Sequence, residues 1–327
     1  MVTPRSKQVR LDHPIFAVVI PTYGEAPFLE NVLTALAGQT YADFDILVVD
    51  NNPEPRACKR CAGIPRPIEL LHCPKRGLSA ARNAGITATR AEYIAFLDDD
   101  SIPAPTWAEE LDAGLRRHDC GAAGGRVELS MEGDLPGWYP ERMRCLLSEL
   151  DYDSDIPAIG DSQYVVGANF CVARRYIELV GGFREDFGRD GPRLQSNEEL
   201  ELCRRIIKAG GAVTFLARAV VRHRIPKHRS TFRFLLQRSL WQGRSDAALD
   251  VLHGRAPIFR RRSNILNFVA LCHRIWLLGI ASNRKEAALA AAHIAREAGY
   301  LDSYFRASGA QRKAATPVFA ERAKAGD

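Results

Sequence analysis

Hydrophobic and polar positions alternate along the first hundred residues in two rhythms. Ile15 to Ile20 is an unbroken apolar run closed by Pro21, which predicts a buried strand. Phe28, Leu29, Val32, Leu33 and Leu36 then recur at helical spacing, and Gly38 supplies a stop. Asp45 to Val49 predicts a second buried strand, ending at Asp50-Asn51-Asn52-Pro53, and Ile68 to Leu71 a third. Ser79 to Thr89 reads as a helix and Tyr93 to Leu97 as the fourth strand. Strands and helices in alternation imply an α/β fold with a mainly parallel mixed sheet flanked by helices.

Beyond Asp100 the rhythm loosens. Thr106 to Arg117 predicts a helix and Ala122 to Leu129 an extended segment. Met131 to Tyr164 is rich in proline, glycine and acidic residues, with Gly137-Trp138-Tyr139-Pro140 inside it. An irregular stretch of that length in a compact domain is usually functional, as a lid or an acceptor loop. Gln163 to Val172 predicts a strand, Asn197 to Ala209 a helix with a charged start, and Ala212 to Val221 another strand. From Thr231 onward the pattern is almost wholly helical. The expected organisation is an α/β domain over 1–230 and a helical C-terminal extension over 231–327.

The first apolar-to-charged break with chemical content is Tyr93-Ile94-Ala95-Phe96-Leu97 followed by Asp98-Asp99-Asp100. Three adjacent carboxylates repel one another and are costly to desolvate, so a cation is expected among them. Carboxylate oxygens suit Mg²⁺ or Mn²⁺. Ligands of open α/β sheets bind beyond the carboxyl ends of strands. Alternation puts Asp98 and Asp100 on one side and Asp99 on the other. The bland alternative is a solvated acidic loop ahead of the helix near Thr106.

Bulk properties narrow the classes. The chain has 327 residues, 46% hydrophobic and 26% charged, an ordinary balance for a globular protein. A formal charge of +6 falls short of a dedicated nucleic-acid binder but fits an anionic substrate or membrane surface. Met1 to Arg10 has no apolar signal core, and no uninterrupted apolar run reaches the length of a membrane span. The expected location is the cytoplasm. Of the eight cysteines, Cys171, Cys203 and Cys272 sit in apolar segments and read as reduced core residues. Cys58, Cys61, His72 and Cys73 have zinc-like spacing. The alternative is unpaired loop thiols, because His72 and Cys73 point in opposite directions on a strand.

Several further motifs complete a pattern. They are Val18-Val19-Ile20-Pro21-Thr22-Tyr23, Ile46-Leu47-Val48-Val49-Asp50-Asn51, Gly77-Leu78-Ser79-Ala80-Ala81-Arg82-Asn83-Ala84-Gly85 and Phe96-Leu97-Asp98-Asp99-Asp100. Further on come Gly167-Ala168-Asn169, Gly181-Gly182-Phe183 and Glu198-Glu199-Leu200-Glu201-Leu202-Cys203. In this order, over roughly Phe16 to Asp246, the chain resembles the family 2 glycosyltransferases, which have the GT-A fold. The resemblance implies an inverting transfer of a sugar from a nucleotide diphosphate donor to an acceptor hydroxyl. It also implies a metal, Mn²⁺ or Mg²⁺, bridging the acidic motif and the diphosphate.

Site roles follow from the residues and the resemblance together. Strand ends at Pro21, Thr22, Tyr23, Glu25, Asp50 and Asn51 are placed to hold a nucleoside, Tyr23 by stacking and Asp50 or Asn51 by hydrogen bonds. The alternative for Asp50 and Asn51 is that they shape a turn before Pro53. Arg82 is suited to phosphate or ribose oxygens, and Asp98 and Asp99 join the donor side. The resemblance gives metal contact to Asp99 or Asp100, and a metal or diphosphate contact to His223. The catalytic base falls on the pair Glu198-Glu199, with Glu199 where the family usually has aspartate. The alternative is that the pair only complements a helix dipole. Trp138, Asn169 and Trp241 are expected on the acceptor side.

Gln237-Arg238-Ser239-Leu240-Trp241 partly matches the signature of processive members, with Leu240 replacing its arginine, which favours transfer of a single residue. The tail from Ser263 to Tyr300 has helical apolar spacing broken by His273 and Arg274, after Arg260-Arg261-Arg262. Such a segment packs on the catalytic domain or rests peripherally on the inner face of an anionic membrane, the latter suiting a lipid-linked acceptor; a glycan or small-molecule acceptor is equally compatible. A sugar nucleotidyltransferase is the enzyme alternative, disfavoured because the first strand ends in Pro21-Thr22-Tyr23-Gly24 rather than a glycine-rich phosphate loop. A non-catalytic nucleotide-sugar-binding protein is the other.

Overall fold

A computed structural model describes residues 15–160, 162–254 and 283–314. These residues fall into two compact units. The first lies within Met1–Glu132, Ser148–Gly191 and Glu198–Ile225, and the second within Gly133–Leu147, Pro192–Asn197 and Pro226–Asp327.

The first unit is built on an eight-stranded sheet. Its strands are β1 (Phe16–Thr22), β2 (Phe44–Asp50), β3 (Glu69–His72), β4 (Tyr93–Leu97), β5 (Ser101–Pro103), β6 (Ala122–Met131), β7 (Asn169–Ala173) and β8 (Val213–Ile225). Their order across the sheet is β3-β2-β1-β4-β7-β6-β8-β5. β1 pairs in parallel with β2 and β4, while β7 runs antiparallel to both β4 and β6. The helices are α1 (Leu29–Ala37), α2 (Cys58–Cys61), α3 (Leu78–Ala88), α4 (Trp107–Arg117), α5 (Arg174–Val180) and α6 (Glu198–Lys208).

Alternation along β1 shows how the sheet is covered. Phe16, Val18 and Ile20 pack with Leu29, Leu33 and Leu36 of α1 and Trp107 and Leu111 of α4. Val19 belongs to the opposite layer, with Ala81 and Ile86 of α3, Ile177 of α5, and Leu202 and Ile206 of α6. Both faces of the sheet are therefore apolar, which is why its strands read as continuous hydrophobic runs. α3 lies close to β1: a Cβ on Gly85 would sit 2.4 Å from Val19 Cγ1.

The predicted mixed α/β sheet is present, with local differences. β1 does not stop at Pro21 but continues through it to Thr22. Proline lacks a ladder donor, and here β1 pairs with β4 only as far as Val19 opposite Phe96. The strand expected from Gln163 begins only at Asn169. β8 runs past Val221, so His223 lies within a strand rather than after one.

The second unit contains α7 (Phe232–Leu252) and α8 (Arg284–Ala314). Thr231 caps α7, its Oγ1 accepting from Phe234 N at 3.2 Å. The two helices meet backbone to backbone. A Cβ on Gly243 would lie 1.8 Å from Arg296 O, and one on Gly299 would lie 2.0 Å from Leu240 O. Tyr300 donates its hydroxyl to Asp250 at 2.9 Å, and Arg296 pairs with Asp246 at 2.6 Å. Among the described residues no helix is long and apolar enough to cross a membrane. The basic cluster Arg260 to Arg262, Cys272, and the first part of the predicted tail helix lie outside the described residues.

Candidate active site

The acidic end of β4 is closed by its neighbours. Ser101 N donates to Asp98 O at 3.0 Å, turning the chain into β5. β5 pairs antiparallel with β8, placing Ser101 opposite His223, and Arg224 N donates to Asp100 O at 2.8 Å. This pairing brings His223, which is 2% exposed, to the carboxylates. Its Nε2 lies 3.1 Å from Asp100 Oδ1. One ligand atom each from Asp98, Asp100 and His223 lie within 4.8 Å of one another. Two carboxylate oxygens and an imidazole nitrogen fit a divalent cation that keeps positions open for substrate phosphates. Asp99 accepts instead from Thr22 Oγ1 at 2.7 Å. The cluster thus pairs Asp100 and His223 with Asp98, where the sequence expectation had Asp99.

Arg82, on α3, ties this edge to the acidic pair of α6. It is 1% exposed, so the expected reach to a donor phosphate gives way to internal pairing. Nη1 donates to Glu198 Oε1 at 2.8 Å, and Nη2 lies 3.3 Å from both Asp98 Oδ1 and Gly167 O. The contact depends on Gly167, where a Cβ would sit 2.4 Å from Arg82 Nη2. Burial acts to lower the Arg82 pKa, but the charges of Glu198, Asp98 and Glu199 more than offset it, so the guanidinium is held charged.

Glu198 and Glu199 stand in the first turn of α6, where the helix dipole favours negative charge. Glu198 is buried and bonded to Arg82, while its Oε2 has no hydrogen-bond partner. Glu199 Oε1 accepts from Gly167 N at 3.0 Å, and Oε2 is shielded without a partner. Burial, then repulsion from Glu198, pushes the Glu199 carboxyl up to about 8, against the opposing charge of Arg82. A carboxyl raised in this way is a stronger proton acceptor once ionised. Gly167 therefore serves both glutamates, one through its amide and one through the arginine it admits. Its motif was visible in the sequence, but only its neighbour Asn169 was singled out.

On the donor side, the structure gives Asp50 and Asn51 architectural partners. Asp50 Oδ1 accepts from Asn52 N and Nδ2 at 3.1 and 2.8 Å, and Oδ2 accepts from Arg56 N and Ala57 N. Burial raises its pKa, and these four hydrogen bonds together lower it further than that. Asn51 Nδ2 donates to Cys73 O and Lys75 O at 2.8 and 2.7 Å, and its Oδ1 accepts from Gly77 N at 3.0 Å. Asp50 thus orders the loop after β2, and Asn51 ties the end of β2 to the loop after β3. Asn52, which sequence reasoning passed over, orients Gly24 N at 2.8 Å. Pro21 and Thr22 are buried at the end of β1, while Tyr23 is 48% exposed with Arg76 at 5.9 Å from its ring centroid. Glu25 is exposed and pairs with Arg56 at 3.0 Å.

The acceptor-side expectations divide. Asn169 is 3% exposed and repairs the sheet. The register of β6 and β8 slips between Gly125 and Arg126, and Asn169 Nδ2 donates to Arg126 O and Ala219 O at 3.0 and 2.8 Å there. Its Oδ1 accepts from Trp107 Nε1 at 3.0 Å. A side chain so engaged is a structural residue, because a buried amide needs its partners, and this corrects the acceptor reading. Trp138 and Trp241 belong to the second unit. Trp138 stands edge-on to Phe232, with centroids 5.8 Å apart, and Trp241 faces Arg244 at 4.9 Å. Of the zinc-like set, His72 Nε2 contacts Asn52 O at 2.9 Å and Cys73 Sγ lies 3.7 Å from Lys75 O. The Cys58 side chain lies outside the described residues.

Comparison with known proteins identifies the family. The family model described as "Glycosyl transferase family 2" matches residues 17–178. The chain is 30% identical over 252 residues to the glucosyl-dolichyl phosphate glucuronosyltransferase of Haloferax volcanii, covering 73% of this chain and 79% of that protein. It is 31% identical over 245 residues to the pre-mycofactocin glycosyltransferase of Mycobacterium tuberculosis, covering 74% of this chain. There it spans about half (48%) of the relative's length. The crystal structure of S. aureus TarS 1-349 in complex with UDP-GlcNAc has the same fold, with a TM-score of 0.51 at 14% identity over 91% of this chain and 92% of that one. The chain belongs to the family 2 glycosyltransferases. It is a glycosyltransferase with a GT-A fold and a helical C-terminal segment.

Proposed function

We propose that this protein is a metal-dependent, inverting glycosyltransferase that moves one sugar from a nucleotide diphosphate donor to an acceptor hydroxyl. The observation that carries the reading is a buried arginine that joins two acidic groups. Arg82 contacts Asp98 of the metal-type cluster with one nitrogen and Glu198, beside Glu199, with the other. A cation-holding edge and a proton-accepting edge are thus fixed relative to each other by one rigid side chain. Asp98, Asp100 and His223 would hold Mn²⁺ or Mg²⁺. That ion would neutralise the diphosphate as it leaves.

The remaining work belongs to the chain's own groups. Glu199 removes the acceptor hydroxyl proton, and its raised pKa matches that task. Gly167 N holds it in place. Exposed Tyr23 offers a face for the donor base. The domain assignment follows: the sheet unit is catalytic and the C-terminal helices are an extension. The name of the Haloferax relative favours a lipid-linked phosphate acceptor, consistent with peripheral contact at the inner face of a membrane. The test is transfer from a panel of nucleotide sugars, with and without chelator, with the product anomer read by NMR. Inversion and loss of turnover on chelation are expected. Retention, or full turnover in chelator, would overturn the reading.

A further inference from the structure

The second unit carries a feature that the catalytic reading does not use. It is an open groove of about 480 Å³ lined by Arg193, Trp241, Arg244, Asp302, Ser303 and Arg306, among others, with Arg193 and Arg306 exposed to solvent. Three arginines face one carboxylate. Asp302 is already engaged by two of them: Oδ1 accepts from Arg306 Nε at 2.6 Å and Oδ2 from Arg244 Nη2 at 2.9 Å. The lining therefore holds an excess of two positive charges that its own acid does not balance. Arg244 is further fixed over the Trp241 indole, 4.9 Å from its centroid. The walls come from α7, α8 and the short stretch that contains Arg193. The close approach of α7 and α8 at Gly243 and Gly299 fixes the spacing of the two helical walls.

We propose that this groove of the second unit is a binding site for a phosphate-bearing anion. Several guanidinium forks converging on one space match phosphate oxygens in geometry as well as charge. An excess of two charges suits a dianion. The volume exceeds that of a bare phosphate, and the Trp241 ring and Ala248 give an apolar wall for an organic group beside it. Ser303 adds a hydroxyl that both donates and accepts. Asp302 holds Arg244 and Arg306 in register while no anion is bound. This inference stands independently of the assignments of base and metal.

Calorimetric titration of the full-length protein with pyrophosphate in excess EDTA tests it, since chelation removes the metal-dependent donor site from the measurement. Saturable binding that weakens with salt is expected. The double variant Arg193→Gln/Arg306→Gln should bind about tenfold more weakly. Asp302→Asn should bind more tightly than the parent, because Arg244 and Arg306 lose their internal acid. Circular dichroism and melting temperature establish that each variant is folded. Flotation with vesicles of phosphatidic acid in phosphatidylcholine, against phosphatidylcholine alone, identifies the source. Arginine-dependent capture by the anionic vesicles assigns the site to a lipid headgroup, and pyrophosphate binding without capture assigns it to a free phosphate compound. Pyrophosphate affinity unchanged in the folded double variant, or no binding in either arm, overturns the proposal.

Discussion

Arg82 Nη1 and Glu198 Oε1 lie 2.8 Å apart, with both side chains almost fully buried. Neither charge has enough water to remain stable without the other. Removing one partner of such a pair typically costs about 3–5 kcal/mol. Arg82→Met should therefore destabilise the protein by about that amount in urea unfolding. The double variant Arg82→Met/Glu198→Met should recover part of the loss, because Glu198 is no longer left without its cation, although Asp98 still loses its contact with Arg82. Losses that simply add in the double variant would show that the pair is not coupled.

The metal assignment makes a sharper distinction than the acidic run alone allows. Asp98, Asp100 and His223 share a cluster, while Asp99 accepts from Thr22. Asp98→Asn and Asp100→Asn should each weaken Mn²⁺-dependent donor binding by more than Asp99→Asn does. Titration of a nucleotide diphosphate with and without Mn²⁺ measures the difference. A larger effect of Asp99→Asn than of Asp98→Asn would return the metal to the pair Asp99 and Asp100.

Asn169 should behave as a sheet residue rather than an acceptor contact. Asn169→Ala leaves the carbonyls of Arg126 and Ala219 and the indole N–H of Trp107 without their partner. Each buried group left unsatisfied costs about 1–3 kcal/mol. The expected outcome is a large fall in melting temperature with the acceptor KM of the surviving folded enzyme unchanged. A raised KM at normal stability would restore the acceptor role.

The contrast between Asn169 and His223 explains how far the sequence could be read. β1, β2 and β4 were legible because both faces of the sheet are buried there, so each strand carries an unbroken apolar run through its centre. The acidic turn was legible because like charges at a strand end are costly. Partnership across the chain was not legible. His223 reaches Asp100 only through the pairing of β5 with β8, and β5 is three residues long with no periodic signal. Asn169 serves a register slip that no local pattern announces. Asp50, Asn51 and Arg82 have residue types suited to ligands, but burial turns the same hydrogen-bonding capacity inward.

Glu199 supplies the last test, which links pH to both rate and stability. Its pKa is raised by burial and by Glu198, so the folded protein holds this proton at pH values where the unfolded chain has released it. Between the two values the folded state binds more protons, and stability falls as pH rises. The contribution is fully present below the ordinary carboxyl range and is lost as pH climbs through about 8. Activity should run the other way, because only the ionised carboxylate accepts the acceptor's proton. kcat/KM is therefore expected to rise through the same alkaline window. Glu199→Gln should lose about 10²–10⁴-fold in turnover and abolish that rising limb. It should also melt higher than the parent above pH 8, with little difference near pH 5, while donor affinity stays the same. A variant that keeps the parent's pH profile, or one that no longer binds donor, would move the base to another residue.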